Sequence, residues 1–470
     1  MGARRPLTSA WIAPVVTVAA ALVVYSLTLA PDLTHANYGA DGGELIAASV
    51  TLGVAHPPGY PLYSLLGKLF SYLPLGTLAF RYHLLSAAGF AAAAALVATS
   101  VYRLGSAGVS HPRRWAAASA AGMALAFTPL VWSQALIAEV YGLNLALAAA
   151  VLALCVLPAG RHKSGWIGFL WGLAISHHPT SLLLAPMVGL AAGRGRLGAL
   201  VAGLAFGMTP WLLLPLLAAG DSPVVWGDPR SLEGWLWLVS GQLYQPNLFS
   251  LPRAEWLPRL FQWMRPALTA FTLLGLPIIL LGSARTFQAQ RRLALGLAAI
   301  GLLYGLYAFL YATQDAAVYF LPGLAAISVL LGAGLLPFGR LALLLPIALL
   351  GLNFGWQDLS QAGLLRRQAD QLLAAIPADA LVVTPGGEVS AAFYYFHYAE
   401  GHRPDLFVVD SSLYPFDWYR RQITERLGAP AASSLDQLTA HLAAGRPVCW
   451  LDPGALAIAR CRPAGEGAVT

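Results

Sequence analysis

Charge is what this chain has least of: 10% of its 470 residues are Asp, Glu, Lys or Arg, against about 25% in soluble domains. With 58% hydrophobic residues, that shortage excludes an ordinary soluble enzyme and points to a polytopic membrane protein. Cysteine is scarce too, and three residues exclude a disulfide-rich scaffold. Cys155 falls in an apolar run, whereas Cys449 and Cys461 either pair, if that end lies outside the cytoplasm, or remain free thiols. The net charge of +7 comes without clustering, since basic residues sit in small groups between apolar runs. No nucleic-acid partner is expected, because a basic footprint needs a patch. Dinucleotide and P-loop fingerprints are absent. The nearest approach, Pro385-Gly386-Gly387-Glu388, lacks their spacing and reads as an ordinary strand-to-helix turn.

What is present is a succession of apolar runs of membrane-crossing length. They lie near 10–30, 84–102, 115–131, up to 158, 166–192, 197–217, 267–282, 293–312, 318–337 and 341–355. His177-His178-Pro179-Thr180 interrupts the run over 166–192. Proline disfavours helix at the residue before it, so that run is read as a hairpin of two short crossings, about eleven in all. Arg4/Arg5, Arg113/Arg114, Arg161/Lys163, Arg194/Arg196, Arg285/Arg291/Arg292 and Arg340 then share one side, which the positive-inside rule makes cytoplasmic. The segments containing Asp41, Glu139, His178 and Asp315 fall on the other side, and none was used to set the orientation. From about Gln357 the pattern changes to short apolar runs, 380–384, 406–410 and 448–451, alternating with helical stretches. The fold class is thus an α-helical polytopic membrane domain, 1–356, followed by a small extracytoplasmic α/β domain, 357–470.

The densest concentration of chemistry in the first half is Tyr38–Tyr63, YGADGGELIAASVTLGVAHPPGYPLY. It reads as the first extracytoplasmic loop and as the active site. Leu45-Ile46 resumes apolar character directly after the acids, which suggests a short helix along the membrane. A spacing of three then puts Asp41 and Glu44 on one helical face. One carboxylate can deprotonate a hydroxyl while the other orients it or shifts its partner's pKa. His56-Pro57-Pro58-Gly59-Tyr60-Pro61 is a rigid frame able to present one imidazole beside Tyr60. It equally suits a structural elbow. Lys68 and Arg81 either pair with a phosphate or anchor the interface. Glu139, beside Tyr141, sits at a membrane edge, where ionisable groups face the interior or a water-filled cavity. His177 and His178 are adjacent and point apart, without a third ligand at suitable spacing, so no metal site is expected; one of them can contact a phosphate. Asp315 and Tyr319 form a weaker acid–aromatic pair. Trp226, Trp235, Trp237, Trp256 and Trp263 read as an interfacial aromatic belt.

The segment DGGELIAASVTLGVAHPPGYPLYSLLGKLF resembles the signature of the DUF2723 family of polytopic membrane proteins. VWSQALIAEVYGLN, GLAISHHPTSLLLAP and, more faintly, DAAVYFLPG continue the likeness in order. ALVVTPGGEVSAAFYYFHYAEGHRPDLFVVD resembles the tail of bacterial members. The family includes a eukaryotic protein O-mannosyltransferase branch and is similar to the GT-C glycosyltransferases, which use lipid-phosphate sugars at the outer face. The resemblance implies an inverting transferase of the cytoplasmic membrane, with Asp41 as base and Glu44 as the neighbouring acid. Its donor would be a polyprenyl-phosphate hexose, mannose among the candidates, whose phosphate is held near His56, Lys68 or His178. A protein, lipid or glycan hydroxyl would be the acceptor, and no cofactor is implied. Here two glycines separate the acids instead of leaving them adjacent, so which one is the base stays open. A lipid or glycan flippase is the rival, but it calls for charges deep in several spans and an internal repeat. A non-catalytic assembly scaffold gives no reason for the polar sites to converge.

Overall fold

The computed structural model describes residues 10–105, 109–157, 160, 162–192, 196–428 and 432–465. The flanking cations Arg4, Arg5, Arg161 and Arg194 lie outside the described residues. Apolar composition over long stretches turns into helix, because a backbone in hydrocarbon must satisfy its polar groups internally. In chain order come α1 (Ile12–Thr28), α2 (Gly42–Val50), α3 (Pro61–Ser71), α4 (Leu78–Leu104), α5 (His111–Ala126), α6 (Pro129–Ala135), α7 (Tyr141–Val156) and α8 (Lys163–His177). After them come α9 (Ala185–Ala191), α10 (Leu197–Gly207), α11 (Leu214–Ala218), α12 (Leu232–Val239), α13 (Trp256–Thr269), α14 (Thr272–Ala289), α15 (Arg291–Leu310), α16 (Leu321–Leu335) and α17 (Leu344–Gln357).

Every run read as a crossing is helical, with shifted ends. α4 starts earlier than the apolar run because Thr77 caps it, accepting from the Phe80 N–H at 3.2 Å. The run over 267–282 is broken at Phe271, where α13 gives way to α14. Among the described residues five helical stretches are long and apolar enough to cross a membrane, and six if α5 and α6, bent by 65°, form one broken span. α1, α7 and the Pro179–Ala191 stretch are apolar but shorter. Small residues let the helices approach closely. A side chain on Gly282 or on Gly334 would run into the facing backbone of α16 or α14 respectively.

The tail forms α18 (Leu364–Ala375), β1 (Leu381–Thr384), α19 (Gly387–Tyr394), β2 (Phe407–Asp410), α20 (Asp417–Leu427), α21 (Leu435–Ala443), β3 (Val448–Leu451) and β4 (Ile458–Arg462). The sheet order is β2-β1-β3-β4. β1 pairs in parallel with β2 and β3, and β4 runs antiparallel to β3. Cys449 faces Cys461 across the β3–β4 ladder, and the two are disulfide-bonded. β4 escapes the sequence pattern because Ile458-Ala459-Arg460-Cys461-Arg462 is short and largely polar on its open edge. The Pro385–Glu388 turn links β1 to α19, with Gly386 and Gly387 at φ 96° and 57°. It is a strand-to-helix turn, in line with its residues.

The tail does not have a separate core on the side where it meets the membrane region. α2 and α3 share one apolar cluster with α18, β1 and α19, including Leu45, Ile46, Ala392 and Phe393. α2 therefore lies buried beneath α19 instead of along a membrane surface. Gly43 allows this, since a Cβ there would run into the Ala391 carbonyl. Three of the five loop tryptophans also depart from the expected belt. Trp226 and Trp237 pack on Trp418 of α20, and Trp235 packs on Trp211. Trp256 on α13 is exposed.

Candidate active site

Asp41 occupies the N-cap position of α2, and Glu44 sits in its first turn. The chain then leaves α2, makes a turn and presents His56 back towards that same end. The His56 backbone N–H donates to Glu44 Oε1 at 3.1 Å, and its Nδ1–H donates to Oε2 at 2.7 Å. The other ring nitrogen, Nε2, lies 3.8 Å from Asp41 Oδ2. The two acids therefore do not act side by side on one helix face, as their spacing suggested. They flank one imidazole, with Glu44 buried behind it and Asp41, whose side chain is 56% exposed, in front. Burial works against a charge on His56, but Glu44 and Asp41 outweigh it and raise its pKa to about 9. At neutral pH the ring is an imidazolium.

This group opens on a cavity of about 410 Å³ lined by Asp41, His56, Tyr60, Tyr141, His178 and Asp315. Six sequence-selected residues from four separate segments thus converge. The rigid His-Pro-Pro turn forms one wall, with Tyr60 in the left-handed region at φ 42° and Pro61 opening α3. The start of α7 and the break after α8 form the second wall. There Thr180 Oγ1 lies 2.7 Å from His178 Nδ1, and Tyr141 and Tyr319 pack around the ring. Burial, then the Asp41 charge, pushes Glu139 well above the usual carboxylate range. Glu139 lies just behind the cavity and does not line it. Burial is also the main cause raising Asp315, to which Asp41 adds.

Three candidates are elsewhere. Lys68 Nζ donates to the Val50 carbonyl at 2.6 Å, and Arg81 donates to the carbonyls of Leu75 and Ser71 at 2.9 and 2.5 Å. Both cations tie down the α2–α4 backbone and are structural. His177 donates from Nε2 to the Val140 carbonyl at 3.0 Å, behind Tyr60.

Sequence reasoning missed Ser240, Tyr244, Asn247, Tyr307 and Tyr311, all of which line the cavity. The Tyr244 ring lies 6.3 Å from His56, and Tyr307 and Tyr311 stack on each other at 5.4 Å against Tyr319. A signal for the last group was available in the stripe Tyr304, Tyr307, Tyr311, Asp315, Tyr319, at spacings of three and four. Beyond Thr313 lies a second cavity of about 700 Å³, lined by Tyr38, Arg259, Gln262 and Trp263 among others. Thr313 belongs to both walls.

Residues 41–195, from Asp41 to just past α9, match the family model of the Protein O-mannosyl-transferase TMEM260 N-terminal domain. Protein O-mannosyl-transferase TMEM260 of Mus musculus is 27% identical over 472 aligned residues, which cover 87% of this chain. The chain spans 64% of that protein's length. Its counterpart in Dictyostelium discoideum is 34% identical over 125 residues, 26% of this chain and 14% of that protein. In three dimensions the chain resembles ArnT from Cupriavidus metallidurans bound to undecaprenyl phosphate, with a TM-score of 0.63 at 13% identity. That likeness covers 93% of this chain and 92% of the other. The apo form of ArnT gives 0.57. The overall fold is therefore that of ArnT.

Proposed function

We propose that the chain is an inverting membrane glycosyltransferase that moves a hexose, mannose foremost, from a polyprenyl-phosphate donor to an acceptor hydroxyl. The carrying observation is the Glu44–His56–Asp41 constellation opening on a tyrosine-lined cavity of about 410 Å³. That volume suits one sugar with its phosphate. Asp41 takes the proton from the acceptor O–H, and the oxygen attacks the anomeric carbon. The bond from that carbon to the phosphate oxygen breaks, and the polyprenyl phosphate leaves with the electron pair. The His56 imidazolium, held by Glu44, supplies positive charge at the cavity wall, where an anionic leaving group gains most from it. The tyrosines and His178 present hydrogen-bonding groups and ring faces suited to a sugar.

The protein O-mannosyl-transferases that this chain resembles favour protein Ser/Thr as acceptor, and the undecaprenyl phosphate bound to ArnT favours a polyprenyl-phosphate donor. We further propose about eleven crossings of the cytoplasmic membrane, with residues 1–356 as the membrane unit. The site and the 357–470 α/β unit would face outward, and the larger cavity beyond Thr313 would admit the acceptor. The test is transfer from labelled polyprenyl-phosphate hexoses to peptide and lipid acceptors by purified protein. Asp41→Asn should abolish transfer with membrane insertion intact. Full activity in that variant would sink the assignment, and lipid movement without transfer would favour a flippase.

A further inference from the structure

All six Asp and Glu residues between 45 and 357 are Glu139, Asp221, Asp228, Glu233, Glu255 and Asp315. None lies in 142–220, 256–314 or 316–357, the stretches that build α7 to α11 and α13 to α17. The cations within those stretches must find their counter-charge elsewhere. Two cavities mark where several of them gather. One, of about 450 Å³, is lined by Lys163, Arg291 and Arg292 together with apolar Met187, Leu190 and Leu293. The other, of about 400 Å³, contains Arg285, and both include Gln290, the residue between α14 and α15. α15 carries Arg291 and Arg292 at its start and Tyr307 near its end, so the basic pair lies about 24 Å from the candidate active site at 1.5 Å per residue.

The four cations differ in how they are held. Lys163 donates to the carbonyls of Cys155 and Leu157, closing the end of α7. Arg291 lies over the Phe287 ring at 5.3 Å. Among the described residues neither Arg285 nor Arg292 has a carboxylate partner. Exposed Leu190 lines the first cavity, and exposed Phe287 and Leu295 lie within five residues of Gln290. A basic pocket between apolar helices, with apolar flanks and no internal counter-ion, is complementary to a phosphate that carries acyl chains.

We infer that the cavity beside Gln290 is a binding site for the head group of an anionic phospholipid, with Arg291, Arg292 and Lys163 on its phosphate and Arg285 in the neighbouring cavity. This site is independent of the catalytic reading and sits at the opposite end of the helices. The full chain, delipidated in neutral detergent, should retain phosphatidylglycerol over phosphatidylcholine by about tenfold in native mass spectrometry. Arg291→Gln with Arg292→Gln should weaken that retention by about 10–30-fold, at about one decade or less per cation. Arg113→Gln with Arg196→Gln removes equal charge from exposed positions outside both cavities and should leave the preference unchanged. Equal losses in the two double variants would make the attraction diffuse and overturn the site. Binding of inorganic phosphate without a lipid preference would overturn the lipid assignment in favour of a free anion. If the glutamine pair does not survive purification, Lys163→Gln should weaken retention by about fivefold, the share of one cation, and retention of the full preference there overturns the inference.

Discussion

At the residue scale the decisive relation is that His56 stands between two carboxylates of unequal exposure. Its pKa, raised to about 9 by Glu44 and Asp41 against the cost of burial, fixes two pH dependences. The folded pKa exceeds the ordinary histidine value of about 6.5. The ring's contribution to stability is therefore full below about pH 6.5 and disappears as pH rises through 9. Melting temperatures should accordingly hold steady below about pH 6.5 and fall as pH rises from there to about 9. Replacing Glu44 with Gln keeps one hydrogen-bonding oxygen but removes the charge, so the His56 pKa drops towards its ordinary value. If the imidazolium serves the leaving phosphate, the alkaline limb of kcat/KM moves to lower pH by about one to two units in that variant. An unmoved limb would remove His56 from the reaction while leaving it a structural role. The pairing of Glu44 with His56 was not legible in the sequence. A spacing of three on a helix is a local relation, whereas this contact requires the chain to fold back across twelve residues through the turn that follows α2. The residues themselves stood out because ionisable groups in so apolar a chain have few other reasons to be present.

At the scale of elements, α2 matters because it carries both acids while lying buried under α19. The approach depends on Gly43. Alanine there would press its methyl into the Ala391 carbonyl, forcing α2 and α19 apart at a cost of about 1–3 kcal/mol. Gly43→Ala should lower the melting temperature and shift Asp41 relative to His56, so activity should fall by more than the folded fraction does. A loss of activity that only tracks unfolding would separate α2 placement from catalysis. The breaks in the helical pattern were the legible part of the site. Glu139, His178 and Asp315 each interrupt apolar runs, and because those interruptions share one end of the bundle His178 and Asp315 line the same cavity while Glu139 lies behind it. Tyr244 and Asn247 were hidden in a loop whose tryptophans resemble an aromatic belt. Three of those rings instead pack on the tail or on neighbouring helices, a non-local outcome that composition does not encode. Tyr307 and Tyr311 were hidden for another reason, since tyrosine near a span end is common at a membrane interface. The burial of α2 under α19 was likewise illegible, because nothing between Gly42 and Val50 identifies which partner covers it.

At the scale of the molecule, the tail is joined to the first loop by a polar clamp as well as by apolar contact. Arg366 of α18 donates to Asp32 at 2.6 Å and forks onto Glu400 at 2.5 and 2.7 Å. Tyr395 donates between the same two acids, at 3.1 Å to Asp32 and 2.7 Å to Glu400. Asp32 precedes the segment that leads into Asp41, so the clamp holds the approach to Asp41. Both carboxylates are mostly buried, at 9% and 14% side-chain exposure. Removing the guanidinium leaves them facing one another, which costs about 2–4 kcal/mol when discounted for the partly solvated arginine. Arg421 offers the contrast. It meets Asp228 at 3.5 Å from a side chain 61% exposed, a contact worth about 0–1 kcal/mol. Arg366→Ala should therefore lower both the melting temperature and sugar transfer, whereas Arg421→Ala should leave both near wild type. Full transfer by the folded fraction of Arg366→Ala would show that the tail can loosen without disturbing Asp41. The α/β unit would then serve something other than the shape of the site. Reduced transfer with an intact membrane bundle would instead make the tail a working part of the site, tied to the Asp32 segment by one arginine, one tyrosine and two acids.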